Sequence, residues 1–372
     1  MAPPYDVLSD ADVDRLAASD AHNVVHVDVP RGGPDRYAVA GDLMRRWIDD
    51  GVLVRDDGPS FTVYRMRFVD AVGRRRDIAG VIGALEVVDL GAGGVLPHER
   101  TTPKASTDRL DLTRTTRANL SPVWGLSLGR GLAALLEAPG ESMGSVVVDG
   151  VEHVAERISD PERIARISEL VGAHDVLIAD GHHRYGVART YRDERRSTDG
   201  SGGPAELTMT FVSELVADQL SVEAIHRVYR DIDHDLLVSA LSHFFDVEPA
   251  GPVSAATLGR MEELGALCLV ATDGTGSWLR PRSGVFADVR ALDGVWLETA
   301  LDGVDVDVTY QHGVDELLDL LATDGRIGGA VMIRPVGVAE IERTAREGLL
   351  MPPKSTFFTP KLRTGPVICP LD

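Results

Sequence analysis

The chain has 372 residues, 44% of them hydrophobic and 26% charged, with two cysteines and a formal net charge of −20. Such a length fits a folded protein of about two domains. The cysteine count excludes a disulfide framework, and the acidic balance disfavours general affinity for DNA or anionic lipid.

No window approaches about 18 uninterrupted apolar residues, the length of a membrane span. The start, Met1-Ala2-Pro3-Pro4-Tyr5-Asp6, lacks a basic region ahead of an apolar run. A cytoplasmic protein with no membrane partner is expected, and nucleic acid is not expected as a partner.

Ser9-Asp10 predicts an N-cap for a short helix ending near Ala18. Val24 to Val29 alternates and is β-branched, which predicts a strand. Asp35 to Asp50 is amphipathic, with Leu43, Trp47 and Ile48 inward and Gly51 as the stop. Phe61–Val69 and Asp77–Val88 read as an antiparallel pair. Pro97 to Ser121 is polar and aperiodic, a binding loop with a short helix after Thr107. Asp160-Pro161-Glu162 starts a helix with proline at its first position. Asp175–Ala179 is an apolar strand, Asp180-Gly181 a turn, and His182 to Arg196 a basic helix. Ser197 to Pro204 reads as a flexible linker. Beyond it, Glu206–Glu214 and segments near 266–272, 277–281 and 328–334 read as strands. Helices are expected near 233–245, 255–264, 313–323 and 337–347, and 351–372 is proline-rich and irregular. The expected class is α+β (mixed α/β): two lobes with mixed sheets, surrounding helices and an active cleft between them. One lobe covers 1–200; the other covers 205–372, with its tail 351–361 returning to the cleft.

Of 38 basic residues, only Lys104, Lys354 and Lys361 are lysine, leaving 38 − 3 = 35 arginines. Each lysine follows a proline. A position that keeps lysine in so arginine-rich a chain calls for a compact ammonium, a point charge without the planar guanidinium fork. Phosphate or carboxylate in a tight pocket has that requirement.

Three constellations could carry chemistry. In Ile178-Ala179-Asp180-Gly181-His182-His183-Arg184-Tyr185 a strand end feeds a helix start, which gathers backbone N–H groups and the positive helix end at one spot suited to phosphate. Arg184 could clamp that anion and Asp180 could hold magnesium. The plainer alternative makes Asp180 an N-cap. In Pro97-His98-Glu99-Arg100-Thr101-Thr102-Pro103-Lys104, Glu99 is a candidate general base and Lys104 a phosphate contact; the alternative is a solvated charged loop. Met351 to Lys361 presents Lys354 and Lys361 on a proline-stiffened arm anchored by Phe357 and Phe358, or is an ordinary terminal strand. Asn119, within Arg117-Ala118-Asn119-Leu120-Ser121-Pro122, and Arg227, within Ile225-His226-Arg227, are weaker candidates that fit structural roles as well. The common nucleotide, zinc-protease and hydrolase signatures are absent from the sequence.

The motifs Pro3-Pro4-Tyr5-Asp6, His98-Glu99-Arg100-Thr101, Asp108-Arg109, Arg117 to Pro122, Ala179 to Tyr185 and Pro352 to Lys361 resemble, in order and over nearly the whole length, domain-of-unknown-function family 1015. Asp180-Gly181-His182-His183-Arg184 is also similar to the Asp-Gly-x-His-Arg box of the chromosome-partitioning-protein/sulfiredoxin superfamily, which includes nucleotide-dependent switches and kinases of free serine. That resemblance implies a metal or proton role for Asp180 and phosphate contacts from Gly181, His183 and Arg184. His182 stands at its variable position. Where family 1015 shows Pro-Thr-His-Arg, this chain reads Ala224-Ile225-His226-Arg227.

The expectation is an ATP- and magnesium-dependent kinase of a small hydroxylated metabolite, free L-serine being one. Its catalytic set is Glu99, Asp180 and Lys104, and its nucleotide set Gly181, His182, His183, Arg184, Lys354 and Lys361. The substrate set is His98, Thr101, Asn119 and Arg227. Two alternatives stay open: a metal-dependent hydrolase using His98, Glu99, Asp180, His182 and His183, and a nucleotide-gated DNA-binding regulator. Oligomeric state is not legible. The kinase reading requires the three constellations to meet.

Overall fold

The Ser9 hydroxyl accepts the Asp12 N–H while the Asp12 carboxylate reaches back to Ser9, a complete capping box that starts helix α1 (Asp10–Ser19). The computed structural model describes residues 1–70, 73–89, 91–97, 99, 106–200, 202–352 and 354–372. The elements that follow α1 are α2 (Val25–Asp28), α3 (Arg36–Asp49), β1 (Phe61–Val69), β2 (Arg75–Glu86), β3 (Val95–Leu96), α4 (Ser106–Thr116), β4 (Ala118–Asn119), β5 (Val123–Ser127) and α5 (Leu132–Leu135). Next come β6 (Glu141–Val148), β7 (Val151–Ile158), α6 (Pro161–Gly172), β8 (Val176–Asp180), α7 (His182–Asp199), β9 (Leu207–Glu214) and β10 (Ser221–Glu223). After them run β11 (His226–Arg230), α8 (His234–Ser242), β12 (Phe245–Pro252), α9 (Ala256–Leu264), β13 (Leu267–Val270), β14 (Thr275–Pro281) and α10 (Asp293–Ala300). The chain closes with β15 (Asp307–Gln311), α11 (Val314–Thr323), β16 (Ile327–Met332), α12 (Val338–Arg346), β17 (Phe357–Thr359) and β18 (Cys369–Pro370). The class is mixed α+β, as expected.

Two units form. The first is Met1–Ser221 with Glu342–Leu349 and Phe358–Asp372; the second is Val222–Ile341 with Leu350–Phe357. The break expected at 200–205 falls later because β9 is an interior strand, paired parallel to β5 and antiparallel to β2. The expected linker is partly helix, since α7 continues to Asp199. Residues 358–372, expected in the C-terminal lobe, belong to the first unit.

In the first unit the described strands pair in the order β3-β8-β5-β9-β2-β1-β7-β6. One sheet face packs Val63, Val81, Val176 and Val212 against Leu132, Leu136 and Ile167 around α5 and α6. The other carries an aromatic row. Trp124 meets Phe211 at 5.6 Å between ring centroids, and Phe211 meets Tyr64 at 6.0 Å. A Cβ on Gly80 would lie 2.3 Å from the Phe211 ring, so only glycine permits this approach. The returning tail covers the row: Phe358 packs on Trp124 at 5.7 Å, Arg363 bonds Asp149 at 3.0 Å, Thr364 bonds Ser121 at 2.8 Å, and β18 pairs with β4.

The strand expected at Val24–Val29 is α2. The Asn23 side chain accepts the Val25 N–H at 3.1 Å, and such Asx chemistry turns the chain where β-branched alternation favoured extension. Trp47 is buried as expected, whereas Ile48 faces solvent.

In the second unit β12-β14-β13-β16-β11-β15 form an antiparallel sheet. Helices cover both faces. Leu267, Leu269, Tyr229 and Val331 pack with α8 and α10, while Cys268, Val270, Val228 and Met332 pack with α9 and α11. That double burial explains the unbroken apolar run of β13. No helix among the described residues is long and apolar enough to cross a membrane.

Each unit buries a histidine. The His153 Nδ1 lies 2.8 Å from the Tyr64 hydroxyl, and the His226 Nδ1 accepts the Ile333 N–H at 3.3 Å. Burial pushes both imidazoles down to about 4, with Arg363 and Arg227 respectively adding to the effect. The unfolded chain therefore binds protons that the folded chain refuses between about pH 6.5 and 4. Stability is full above that window and falls as pH drops through it, by up to about 3 kcal/mol per histidine. Urea midpoints at pH 7.5 and 4.5 should show this decline, and His226→Gln should flatten it. A His226→Gln profile parallel to that of the native chain would remove the assignment.

Candidate functional site

Strand β8 is apolar and buried through Ala179, then surfaces at Asp180 beside Trp124 of β5, its cross-strand partner. Gly181 takes φ +86° and ψ 28°, a left-handed turn that L side chains resist, and α7 starts at His182. Arg184 folds back over this turn. Its guanidinium donates to Asp180 Oδ2 at 2.6 Å and to the Pro122 carbonyl. A Cβ on Gly181 would stand 3.0 Å from Arg184 Cζ. Glycine is thus required twice, for the backbone and for the arginine.

The second cation comes from the tail. Lys361 Nζ donates to Asp180 Oδ1 at 2.6 Å across a sequence separation of 181 residues. Side-chain exposure is 21% for Asp180, 9% for Arg184 and 17% for Lys361. Burial pushes the Asp180 carboxyl up, but Lys361 and then Arg184 outweigh it and hold the group well below the usual carboxylate range. A carboxylate held so low is a poor proton acceptor. Both of its oxygens already face cations, so the residues at Asp180 do not fit a magnesium ion. Among the described residues no group of three His, Cys, Asp or Glu side chains could hold a metal ion.

Arg184 also connects to the N-terminal segment. Tyr5, Asp28, Arg109, Asn119, Ser121 and Arg184 line a cavity of about 50 Å³. The Arg109 guanidinium lies 4.3 Å from the Tyr5 ring centroid and donates to the Asp28 carbonyl at 2.5 Å. Four of the ordered sequence motifs therefore meet at one place.

The remaining expected residues divide. His182 and His183 are half-buried in the first turn of α7, and His182 is close enough to lower the Asp180 pKa. Glu99 is half-buried. His98, Thr101 and Lys104 lie outside the described residues. Asn119 lines the cavity, and its Oδ1 accepts the Met209 N–H at 2.9 Å. Arg227 belongs to the second unit, where its guanidinium donates to the carbonyls of Ile225 at 2.5 Å and Lys354 at 3.0 Å. That is a structural use. Lys354 is exposed and also belongs to the second unit.

Sequence reasoning assigned no role to Tyr5, Asp28 or Trp124. Tyr5 and Arg109 stood in quoted motifs. For Asp28 the available signal was an acidic residue inside the apolar run Val24–Val29.

The turn makes a stability prediction. Gly181→Ala should cost about 1–2 kcal/mol through the left-handed backbone and the displaced Arg184. Guanidinium denaturation of the two proteins measures it, and an unchanged midpoint would contradict the geometry.

A family model described as a protein of unknown function, DUF1015, matches residues 1–295. Among solved structures, a free serine kinase in complex with AMP is 13% identical, with 75% of this chain and 87% of that chain covered and a TM-score of 0.41. A conserved hypothetical protein from Pyrococcus furiosus is 12% identical, with 77% and 93% covered and a TM-score of 0.41. SbnI from Staphylococcus aureus, truncated at its C-terminus, is 11% identical, with 78% and 87% covered and a TM-score of 0.43. No curated protein matches.

Proposed function

Because the chain belongs to the DUF1015 family of proteins of unknown function, we propose its activity from its own site: a phosphotransferase that moves the γ-phosphoryl group of ATP to the hydroxyl of a small metabolite, free L-serine being one such substrate. One observation carries the reading. Lys361 and Arg184 set two cations on the single carboxylate of Asp180, at the start of the 18-residue helix α7. Two cations thus stand against this one carboxylate, beside backbone N–H groups that have no partner within the helix, with Asp6 and Asp28 also acting on Arg184. The resemblance of Asp180 to Arg184 to a box that contacts nucleotide phosphates supports the same reading.

In this mechanism Asp180 is a positioning residue, not the base. It fixes Lys361 and Arg184 before substrate arrives, so their charge meets the transferring group without rearrangement. The substrate hydroxyl gives its proton to Glu99. Its oxygen forms a bond to the γ-phosphorus as the bond to the bridging oxygen breaks, and that oxygen leaves with ADP. The chain's contribution is positioning and charge neutralisation, the usual means of phosphoryl transfer.

Purified protein with ATP and a panel of hydroxylated amino acids should release ADP. Lys361→Met should lower kcat about 10²–10³-fold, the scale set by loss of one preorganised donor. Lys361→Arg should lower it at least about tenfold, because a planar fork cannot replace a compact ammonium. No turnover above that of Lys361→Met across the panel would overturn the proposal. An active Lys361→Arg would overturn the role of the ammonium.

A further inference from the structure

Asp28 is 3% exposed, and its Oδ2 has no hydrogen-bond partner among the described residues. The other oxygen lies 3.4 Å from Arg109 Nη1, at the far edge of hydrogen bonding. A buried carboxylate oxygen left without a donor costs on the order of 1–3 kcal/mol or more. Natural structures keep such a group where a missing partner supplies the bond. Asp28 lines the cavity of about 50 Å³ described above. That space takes a few water-sized groups and is far below the several hundred Å³ of a nucleotide pocket. The occupant is therefore a small head group that donates hydrogen bonds and carries positive charge.

We propose that this cavity is the amino-acid end of the active site, with Asp28 as the counter-ion of the substrate's primary ammonium. This rests on the phosphotransferase reading and narrows its substrate to a zwitterion. Arg184 supplies the geometry. It lines the cavity and also bonds Asp180, so a molecule whose ammonium rests on Asp28 lies one arginine from the phosphate-facing cluster. Arg109, which also holds Asp108 at 2.6 and 2.8 Å, and Arg184 line the same cavity and would offer their charge to the substrate carboxylate. Tyr5 lines the cavity with its ring against Arg109. Burial pushes the Asp28 carboxyl up against the pull of Arg109 and then Arg184.

Binding is measured without ATP, which separates this inference from the kinase reading. The probes are L-serine, L-threonine and L-homoserine, with L-glycerate, which keeps the hydroxyl and carboxylate of serine but lacks its amine. At least one of the amino acids should bind the native protein and raise its melting temperature, and L-glycerate should do neither. Asp28→Asn should weaken amino-acid binding at least tenfold. Its own melting temperature is measured alongside, because the change also removes the 3.4 Å ion pair with Arg109. If Asp28→Asn fails to fold, the contrast between amino acids and glycerate on the native protein decides alone. Equal binding of L-glycerate, unimpaired binding by a folded Asp28→Asn, or no binding across the amino-acid panel overturns the proposal. ADP release with L-glycerate but not with amino acids would leave the kinase standing and remove this subsite.

Discussion

Asp180 sits at the end of a buried strand, where a lone carboxylate would be expelled or protonated. It stays ionised because two cations meet it, and they arrive by different routes. Arg184 is local, one helical turn along α7, and its path is held open by Gly181. Lys361 comes from the far end of the chain. Removing one partner of this half-buried cluster leaves a poorly compensated charge, at a cost below the roughly 3–5 kcal/mol of a fully buried pair. The electrostatics of one strand end therefore demand that the C-terminal segment return. Every other contact of the tail, from Phe358 on Trp124 to β18 on β4, serves that return while covering the aromatic face of the first sheet.

The abundance of arginine takes on meaning against this background. Many arginines on the sheet and helices of the first unit are committed to carboxylates and carbonyls. Arg76 holds Asp70 at 2.8 Å, Arg65 reaches Glu156 at 3.2 Å, and the buried Arg192 bonds Asp89 at 2.5 Å and the Val87 carbonyl at 2.6 Å. The planar fork suits such multiple bonding. These arginines bind segments of the first unit to one another. At Lys361 an ammonium meets a carboxylate oxygen of Asp180.

The sequence displayed its helix starts plainly because caps are local chemistry: the N-cap read at Ser9-Asp10 and the start read at Asp160-Pro161 both recur in the structure. The β1–β2 pair and the Asp180-Gly181 turn were legible for the same reason. Two features were not. The alternating valines around α2 satisfy strand and helix patterns alike, and the choice was made by one Asn23 hydrogen bond that composition does not reveal. The membership of β9 and of the tail in the first unit depends on pairing across long separations, which local propensity cannot encode. The meeting of Lys361 with Asp180 was readable only as a chemical requirement, from the rarity of lysine. Asp28 was unreadable because its significance is an unmade bond, and a sequence does not record which bonds go unmade.

The buried Asp28 and the half-buried Asp180, both acted on by Arg184, thus stand in opposite conditions. Asp180 has more positive charge than it needs and is driven to ionise; Asp28 has less than it needs and is driven toward its neutral form. Divergent environments for neighbouring acids are a mark of assigned roles in a reaction site. Arg184 lowers the pKa of both, so it is the element they share. A zwitterion with its ammonium on Asp28 supplies the charge missing on one side, and a phosphate on the other absorbs the excess. On the proposed reading each ligand would offset one of these imbalances, with Arg184 between the two carboxylates.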